Sequence, residues 1–417
     1  MRDFVRCFSV FIAGICVFLF AIILLGQFTI PKSVVIAENS KYEVPKFIGI
    51  SLFTCKEPIA SVGVVNSKAV SDDEESIQVN FLNIIPVKRT NVKSVKRQYV
   101  VLGGEIFGIK LFTDGVLVVD EESVQSEGNV INPAEKAGIR VGDIIKSVNG
   151  ESVYTNKALS EIIEKSNGKK LTVTVVRGSD TLNVSFSSVK EDQTGKYKAG
   201  LWVRDSTAGI GTVTFYNPTN NAFAGLGHAI CDIDTGEIMP MINGEMADAY
   251  VNGFYKSSSG CVGELCGVFT GNRKGSLCIN CEAGMYGYSD SIPQNQTIPV
   301  ALSGEVKTGE AEIICTVDKN GPKAYKAEIV KLLKKSGEIN KDMIVKITDP
   351  ELLSKTGGIL QGMSGSPIVQ NGMLVGAVTH VFVNDPTQGY AIFADKMLET
   401  SACQDLTAQQ STADSAA

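Results

Sequence analysis

A serine in a glycine-rich loop and a scarcity of histidines are the first chemical features of this sequence. Ser364 lies in the segment Gly362–Pro367, and the 417 residues include only two histidines, His228 and His380. A serine hydroxyl becomes an effective nucleophile when a neighbouring base takes its proton, and histidine is the common base near neutral pH. The sequence therefore predicts that Ser364 acts with one of these two histidines.

The two histidines occupy different sequence contexts. His228 lies in the glycine-rich segment Ala224–Ile230, just after a predicted strand, whereas His380 lies inside the alternating segment Leu374–Val383. A histidine within a predicted strand more often has a structural role, because its side chain packs on one face of a sheet. We therefore favour His228 as the base, with His380 as the alternative.

A base of this kind usually has a carboxylate partner that fixes the tautomer of the imidazole and stabilises its protonated form. Asp349, in Thr348-Asp-Pro350, ends a predicted strand and keeps the chain order His, Asp, Ser. Asp232 and Asp234 are the local alternatives. An aspartate before proline also initiates turns without any catalytic role. The sequence predicts Asp349 as the third catalytic residue.

The segment around Ser364 resembles the nucleophile loop of chymotrypsin-like serine peptidases. A glycine two residues before the serine lets the backbone direct two amides to one point, where they stabilise a tetrahedral oxyanion. The resemblance implies that the amides of Gly362 and Ser364 form this oxyanion hole. The other common hydrolase motif, Gly-x-Ser-x-Gly, does not fit because Ser366 stands at its last position. A plain turn between strands is the alternative.

One position departs from the trypsin-like pattern. Met363 stands where those enzymes carry an aspartate that binds a newly formed N-terminus. Their mode of zymogen activation is therefore not expected in this chain. Control by a peptide-binding domain, which would hold a segment of the chain itself until self-cleavage, is our hypothesis in its place.

Composition excludes some functions and leaves others open. The net charge is −6 and the basic residues are scattered, which argues against nucleic acid as a partner. Two of the ten cysteines form the pair Cys261 and Cys266, and two more the pair Cys278 and Cys281, spacings that are also found in zinc sites. We favour buried free thiols over a metal site, and we expect neither a metal nor another cofactor in the chemistry.

The N-terminal segment predicts a membrane anchor. Cys7–Pro31 contains no charged residue and exceeds the roughly 20 apolar residues that span a bilayer. Arg2 and Arg6 precede it, so the positive-inside rule places the N-terminus in the cytoplasm and the rest of the chain outside. A cleaved secretory signal peptide is the alternative, but its apolar core is normally shorter.

A second resemblance is to the PDZ domains of bacterial proteases. Asn132–Gly150 carries it, followed by a predicted helix over Asn156–Lys165. Such domains bind an extended peptide along a strand and its carboxylate on the amides of a glycine-containing loop. The resemblance places that loop at residues 103–108, with these peptide-binding residues: Gly104, Glu105, Ile106, Phe107 and Gly108. A PDZ fold that serves only as a spacer is the alternative.

The rest of the chain predicts a mainly β protein. From Gly200 onwards, many short strands alternate with turn residues, as in a barrel or sandwich, with one predicted helix over Ala324–Lys335. The predicted fold is a transmembrane helix, a PDZ domain and a chymotrypsin-like β-barrel peptidase domain. The predicted boundaries are 1–31 for the cytoplasmic tip and anchor, 32–98 for a linker with short strands, 99–190 for the PDZ domain, 200–398 for the peptidase domain and 399–417 for a disordered tail.

Residues 100 to 395 resemble the stage IV sporulation B peptidases of endospore-forming bacteria. The motifs that carry the resemblance are Gly225–His228, Thr348–Pro350, Lys355–Pro367 and Asn384–Tyr390. The resemblance implies a regulatory serine endopeptidase in the space between the two forespore membranes. Such an enzyme cleaves itself and then a membrane regulator of an intramembrane protease, which leads to processing of the pro-sigma-K factor.

Two points stay open from the sequence. Polar stretches such as Ile36–Glu43 and Ser71–Ser76 are candidates for the self-cleavage site. The competing function is a non-catalytic, membrane-tethered scaffold whose PDZ groove binds the C-termini of partner proteins.

Overall fold

The computed structural model describes residues 2–38, 53–56, 74–82, 84–333 and 337–402. The chain divides into two compact units, Met1–Gln98 and Tyr99–Ala417. Most of the described residues lie in β-strands, as the sequence predicts. Parts of both candidate self-cleavage stretches, residues 39–43 and 71–73, lie outside the described residues.

The first unit joins a long apolar helix to a small sheet. Its elements are α1 (Arg2–Thr29), β1 (Ser33–Ala37), β2 (Phe53–Lys56), β3 (Glu74–Phe81) and β4 (Ile85–Val95), with strand order β1-β4-β3-β2. Residues Arg6–Thr29 of α1 are long and apolar enough to cross a membrane, a property that a signal sequence shares. The region predicted as a linker with short strands thus contains a four-stranded sheet.

The second unit begins with a series of strands and two short helices. They are β5 (Tyr99–Leu102), β6 (Ile106–Glu121), β7 (Val124–Ser126), β8 (Asn129–Ile131), α2 (Pro133–Ala137), β9 (Ile144–Val148), β10 (Glu151–Ser152), α3 (Asn156–Lys165), β11 (Lys170–Arg177), β12 (Asp180–Ser187), β13 (Val189–Lys190), β14 (Tyr197–Lys198), β15 (Leu201–Tyr216), β16 (Ala222–Gly225), β17 (Met241–Tyr255), β18 (Glu264–Cys281), β19 (Gly284–Ser289) and β20 (Thr297–Pro299). Six of the strands form a ring in the order β6-β17-β18-β19-β16-β15, and pairing between β15 and β6 closes it.

The predicted PDZ domain is inserted into this first barrel through two long strands. Residues 106–112 of β6 pair with residues 206–212 of β15 inside the barrel. Beyond Gly115, whose φ is +101°, the same two strands continue into the PDZ sheet, where β6 also pairs with β9. The structure therefore places residues 106–113 in the barrel, β5 beside it, and residues 201–204 in the PDZ sheet, unlike the predicted boundaries.

The second barrel carries the serine loop. Its elements are β21 (Gly309–Cys315), β22 (Lys323–Leu332), β23 (Met343–Ile347), α4 (Pro350–Thr356), β24 (Pro367–Gln370), β25 (Met373–Val381) and β26 (Gln388–Phe393). The six strands close in the order β21-β22-β23-β26-β25-β24. The predicted chymotrypsin-like β-barrel fold is confirmed.

Two local predictions in this barrel differ from the structure. The helix predicted over Ala324–Lys335 is wrong over residues 324–332, because β22 occupies them and buries Tyr325, Ala327 and Ile329 at every second position. That spacing of two is the strand period, and it outweighs the helix propensity of the Ala, Lys and Glu residues. At the C-terminal end, a helix over residues 394–402 passes the predicted boundary at 398, and residues 403–417 lie outside the described residues.

Candidate active site

The loop that carries Ser364 connects α4 to β24 and is held by β15 of the first barrel. The amide of Thr212 donates to the carbonyl of Ser364 at 3.0 Å, and the Thr212 hydroxyl donates to the carbonyl of Gly362 at 2.8 Å. The hydroxyl of Thr214 donates to the carbonyl of Gly365 at 2.7 Å. Three carbonyls of the loop are therefore fixed by two threonines of one strand.

This arrangement leaves two amides beside the nucleophile without a partner. Among the hydrogen bonds of the described residues, none uses the amide of Gly362 or of Ser364. Gly362 has a φ of +93°, a conformation that favours glycine, and the side chain of Met363 is buried in the second barrel. Both amides belong to the turn that presents Ser364, so they are compatible with the predicted oxyanion hole.

Removal of the Thr212 hydroxyl tests whether its hydrogen bond to Gly362 positions the Ser364 loop. In Thr212→Val, the Gly362 carbonyl loses a partly buried hydrogen bond worth about 1 kcal/mol or more, so we expect kcat/KM to fall by roughly 5- to 30-fold. Thr212→Ser keeps the hydroxyl and serves as the matched control. The measurement is cleavage of a fluorogenic protein substrate beside a thermal melt of each variant. Equal activity in the valine and serine variants would show that the bond does not position the loop.

His228 lies on the turn that follows β16. Leu226 and Gly227 both have positive φ, and the turn places the His228 ring in a half-buried position. Its Nδ1 lies 2.8 Å from the carbonyl oxygen of Ala229. Because a carbonyl can only accept, Nδ1 carries the proton and Nε2 keeps its lone pair, which is the tautomer that a general base requires.

Strand β25 carries His380, which packs against His228, and the residue before it contacts Ser364. The Ser364 hydroxyl donates to the carbonyl of Thr379 at 2.7 Å, and the ring of the next residue, His380, lies 4.8 Å from the ring of His228 between centroids. In this conformation no hydrogen bond joins Ser364 to His228, both of which are described. Such bonds are often absent until substrate binds, so the pair remains a workable nucleophile and base.

The pKa values of both histidines favour neutral rings. Burial lowers the pKa of His228 below its usual value of 6.5. Desolvation, together with the nearby His228 and Lys341, lowers the pKa of His380 to about 4. Both rings are therefore uncharged at neutral pH, which is the form in which a histidine accepts a proton from serine.

The acid side of the pH profile follows from the His228 shift. His228 acts as a base only when neutral, so a pKa below 6.5 keeps the enzyme active at pH values where an ordinary histidine is protonated. We expect the acid limb of kcat/KM to have its midpoint below 6.5, measured between about pH 5 and 8. A thermal melt at each pH separates titration from unfolding. A midpoint near 7 would contradict the lowered pKa of the half-buried ring.

Asp349 has a different place from the one predicted. Its carboxylate accepts hydrogen bonds from the amides of Glu351 at 3.0 Å, Leu352 at 3.1 Å and Lys326 at 3.2 Å, and it caps the N-terminus of α4. Although desolvation opposes it, these amides hold the pKa of Asp349 below its usual range. No described contact joins Asp349 to His228, and the contacts that it makes hold the start of α4.

Asparagine at position 349 distinguishes a helix-capping role from a catalytic role. Asparagine caps a helix about as well as aspartate does, whereas Asp349→Ala should lower stability by about 0.5–2 kcal/mol. We expect Asp349→Ala to lose activity through the displaced α4, and Asp349→Asn to regain both the melting temperature and most of the activity. An asparagine variant with native stability and about a 10⁴-fold lower kcat would instead place Asp349 in a triad.

The other two candidate carboxylates are also engaged elsewhere. Arg204 of β15 forms ion pairs with Asp232 and with Asp234, the second at 2.7 Å. The group that contacts Nδ1 of His228 is thus the carbonyl of Ala229. Sequence reasoning missed it because every residue has a carbonyl, and only the turn geometry selects one.

The predicted PDZ loop, residues 104–108, lies in the barrels. The Gly104 carbonyl accepts from the hydroxyl of Thr316 in the second barrel at 2.8 Å. The Glu105 carboxylate accepts from the Tyr216 hydroxyl at 2.6 Å, and burial raises the pKa of Glu105. Phe107 is buried in the first barrel, where Ile106 and Gly108 pair with β15. The prediction that these residues bind a peptide carboxylate does not fit this placement.

The helix-and-strand arrangement of a PDZ peptide site is found elsewhere, between α3 and the start of β15. Leu201 and Val203 of β15 are half-buried and pack against the same core as Ala158 and Ile162 of α3. Residues 201–204 pair with β6 along one edge, and Gly200, with a φ of +76°, precedes them. The sequence signal for this site was Gly200 before the apolar start of β15, after α3. Sequence reasoning did not use it.

The cysteines differ from the buried thiols that we favoured. Cys261 and Cys278 are exposed, Cys266 and Cys281 are half-buried, and all four are free. Partial desolvation raises the pKa of the Cys278 and Cys281 thiols. Within the described part of the chain, no group of three or more His, Cys, Asp or Glu residues is arranged to hold a metal ion.

Comparison with known families identifies two regions. Residues 195–398 match the model of the SpoIVB peptidase S55 family, and residues 132–177 match the PDZ domain model. Probable CtpA-like serine proteases of Staphylococcus aureus, from strains bovine RF122 and COL among others, are 44% identical over 62 residues. These residues make up 14% of this chain and 12% of each relative, so the chain spans only a small part of their length.

Solved structures show weaker likeness. The PDZ domain of an SdrC-like protein from Listeria monocytogenes has 20% identity and a TM-score of 0.18, and the match covers 22% of this chain and 87% of that one. An active-form protease from M. tuberculosis has 16% identity and a TM-score of 0.28, with 47% of this chain and 74% of that one covered.

Proposed function

Since this chain is a PDZ-containing serine peptidase of the SpoIVB type, we propose that it is a membrane-anchored regulatory serine endopeptidase. The observation that carries the proposal is the Ser364 loop, in which two unpartnered amides flank a serine whose hydroxyl donates to Thr379, the residue before a histidine that packs against His228. The long apolar helix α1 is compatible with an anchor and equally with a signal sequence.

The mechanism needs only groups of this chain. The Ser364 hydroxyl attacks the peptide carbonyl while Nε2 of His228 takes its proton and later delivers it to the leaving amine. The amides of Gly362 and Ser364 stabilise the tetrahedral oxyanion. The Ala229 carbonyl holds the His228 tautomer, and Asp349 positions α4. Water then hydrolyses the acyl-enzyme with His228 again as the base.

The proposed substrates are the chain itself and an extracytoplasmic segment of a membrane regulator. In this proposal, self-cleavage releases the peptidase, and cleavage of the regulator activates an intramembrane protease that processes pro-sigma-K in the forespore intermembrane space. The S55 match and the family motifs around His228, Asp349 and Ser364 support this role.

The groove between α3 and β15 is proposed to bind peptide segments of these partners. An extended peptide would pair along residues 201–205 and place apolar side chains against Leu201, Val203 and Ile162. In this proposal the turn at Gly200, with its positive φ, would receive the terminal carboxylate of the peptide.

Self-processing provides the direct test. A chain of residues 32–417 is expressed beside its Ser364→Ala and His228→Ala variants, and tagged Ser364→Ala protein is then mixed with the unmodified chain. We expect cleavage of the unmodified chain, none in either variant alone, and cleavage of the tagged protein in the mixture. Equal processing of the unmodified chain and both variants would favour a non-catalytic scaffold. So would the absence of processing in all three chains while peptides still bind between α3 and β15.

A further inference from the structure

The chain places its only two histidines in one site. His228 comes from the turn after β16 in the first barrel, and His380 comes from β25 in the second barrel. Their rings face each other across the junction of the barrels, with centroids 4.8 Å apart and planes inclined by 37°. The mechanism uses His228 alone and leaves the second imidazole without a function.

The separation of the rings suits one metal ion between them. Zinc binds imidazole nitrogen at about 2.1 Å, which puts each ring centroid about 3.2 Å from the ion. With a tetrahedral angle at the metal, two such centroids lie about 5 Å apart. The observed 4.8 Å is close to this value, so the separation of the rings allows a shared ion when a nitrogen of each ring turns toward it.

The hydrogen bonds around the rings also suit metal binding. Nδ1 of His228 donates to the Ala229 carbonyl, the outer contact that zinc-bound histidines commonly make, and Nε2 is left available. Among the described residues, no hydrogen bond uses a ring nitrogen of His380, and its side chain reaches solvent. The charged neighbours Glu338 and Lys341 form an ion pair, so their charges largely offset each other.

We propose that His228 and His380 together bind a divalent transition-metal ion of the zinc class, and that the bound ion reversibly inhibits the peptidase. The ion would occupy Nε2 of His228, the atom that must accept the proton of Ser364. With two protein ligands and the other positions left to water, the ion exchanges more readily than in a structural zinc site with four ligands. The binding claim stands on the geometry, whereas the inhibition rests on the proposed peptidase function.

Direct binding is measured without catalysis. Zinc chloride is titrated by calorimetry into Ser364→Ala protein. The same titration is run on two double variants, which combine Ser364→Ala with His380→Gln or with His228→Gln. We expect each second substitution to remove one binding site, while exposed thiols contribute an equal background in all three proteins. His380→Cys, which supplies a thiolate, should restore the site and shows that the protein with a changed residue 380 still folds. Unchanged binding in both glutamine variants would overturn the proposal.

Inhibition is measured on the active chain. We expect zinc chloride to inhibit self-processing and a chelator to reverse the inhibition. The His380→Gln chain should stay active and need at least tenfold more zinc for the same inhibition. Equal inhibition of the two chains would overturn the regulatory role. If no chain has activity, the peptidase proposal fails, and the calorimetry still decides whether the metal site exists.

Discussion

Alanine in place of Ser364 is expected to lower peptidase activity by about 10⁶-fold, the scale of loss when a serine peptidase loses its nucleophile. The Ser364 hydroxyl is the only group beside the two unpartnered amides that can form an acyl-enzyme in this loop. The tagged Ser364→Ala protein serves as the substrate, and its single-turnover cleavage is measured with the unmodified chain and with untagged Ser364→Ala as the enzyme. A thermal melt is recorded for both. Loss of activity with an unchanged melting temperature would identify the nucleophile.

Ser366 provides the matched control for this experiment. It lies two residues further along the same loop, where its buried hydroxyl donates to the Met363 carbonyl at 2.6 Å. Ser366→Ala removes a structural bond worth about 1 kcal/mol and should reduce activity only modestly. A Ser366→Ala chain as inactive as Ser364→Ala would show that the loop tolerates no change, and the nucleophile would then need identification by covalent labelling.

Loss of His228 is expected to be nearly as severe as loss of Ser364, because residues that act as one unit show strongly non-additive effects. His228→Ala should lower kcat by about 10⁵- to 10⁶-fold, and the double variant with Ser364→Ala should be no worse than either single one. His380→Ala is the matched control from the other barrel and should retain activity. The measurement is kcat and KM for these four variants and the unmodified chain on the same substrate.

The opposite result would assign the role of the base to His380 instead of His228. If His380→Ala were inactive and His228→Ala active, the base would be the residue that follows Thr379, whose carbonyl accepts from Ser364. Because the rings lie 4.8 Å apart, the two assignments differ by a small displacement and only the paired variants distinguish them.

The sequence predicted the part of the site that depends on local chain geometry. Gly362 and Ser364 belong to one turn, so residue type and spacing were enough to predict adjacent amides beside a serine. His228 followed from the scarcity of histidines and from its glycine-rich turn. These predictions concern single segments whose conformation is set mainly by glycine, and the structure gives them compatible positions.

Predictions that depended on pairing between distant segments were less successful. A glycine pair before an apolar strand indicates a tight turn, but it does not show whether that strand joins the barrel or the PDZ sheet. β6 enters both, so residues 104–108 lie against Thr316 and Tyr216 rather than along the groove of α3. Asp349 was assigned by chain order, and its capping geometry depends on the approach of Lys326 from β22.

The two shared strands also determine when the active site can form during synthesis. β6 must wait for β15 before the first barrel closes, and the whole PDZ sequence lies between them. The Ser364 loop then takes its shape from Thr212 of β15, although Ser364 is made much later. Contacts so distant in sequence carry a large loop-closure entropy and form slowly. The nascent chain therefore has no assembled catalytic loop until nearly all of it has left the ribosome, which delays cleavage by the unfinished protein.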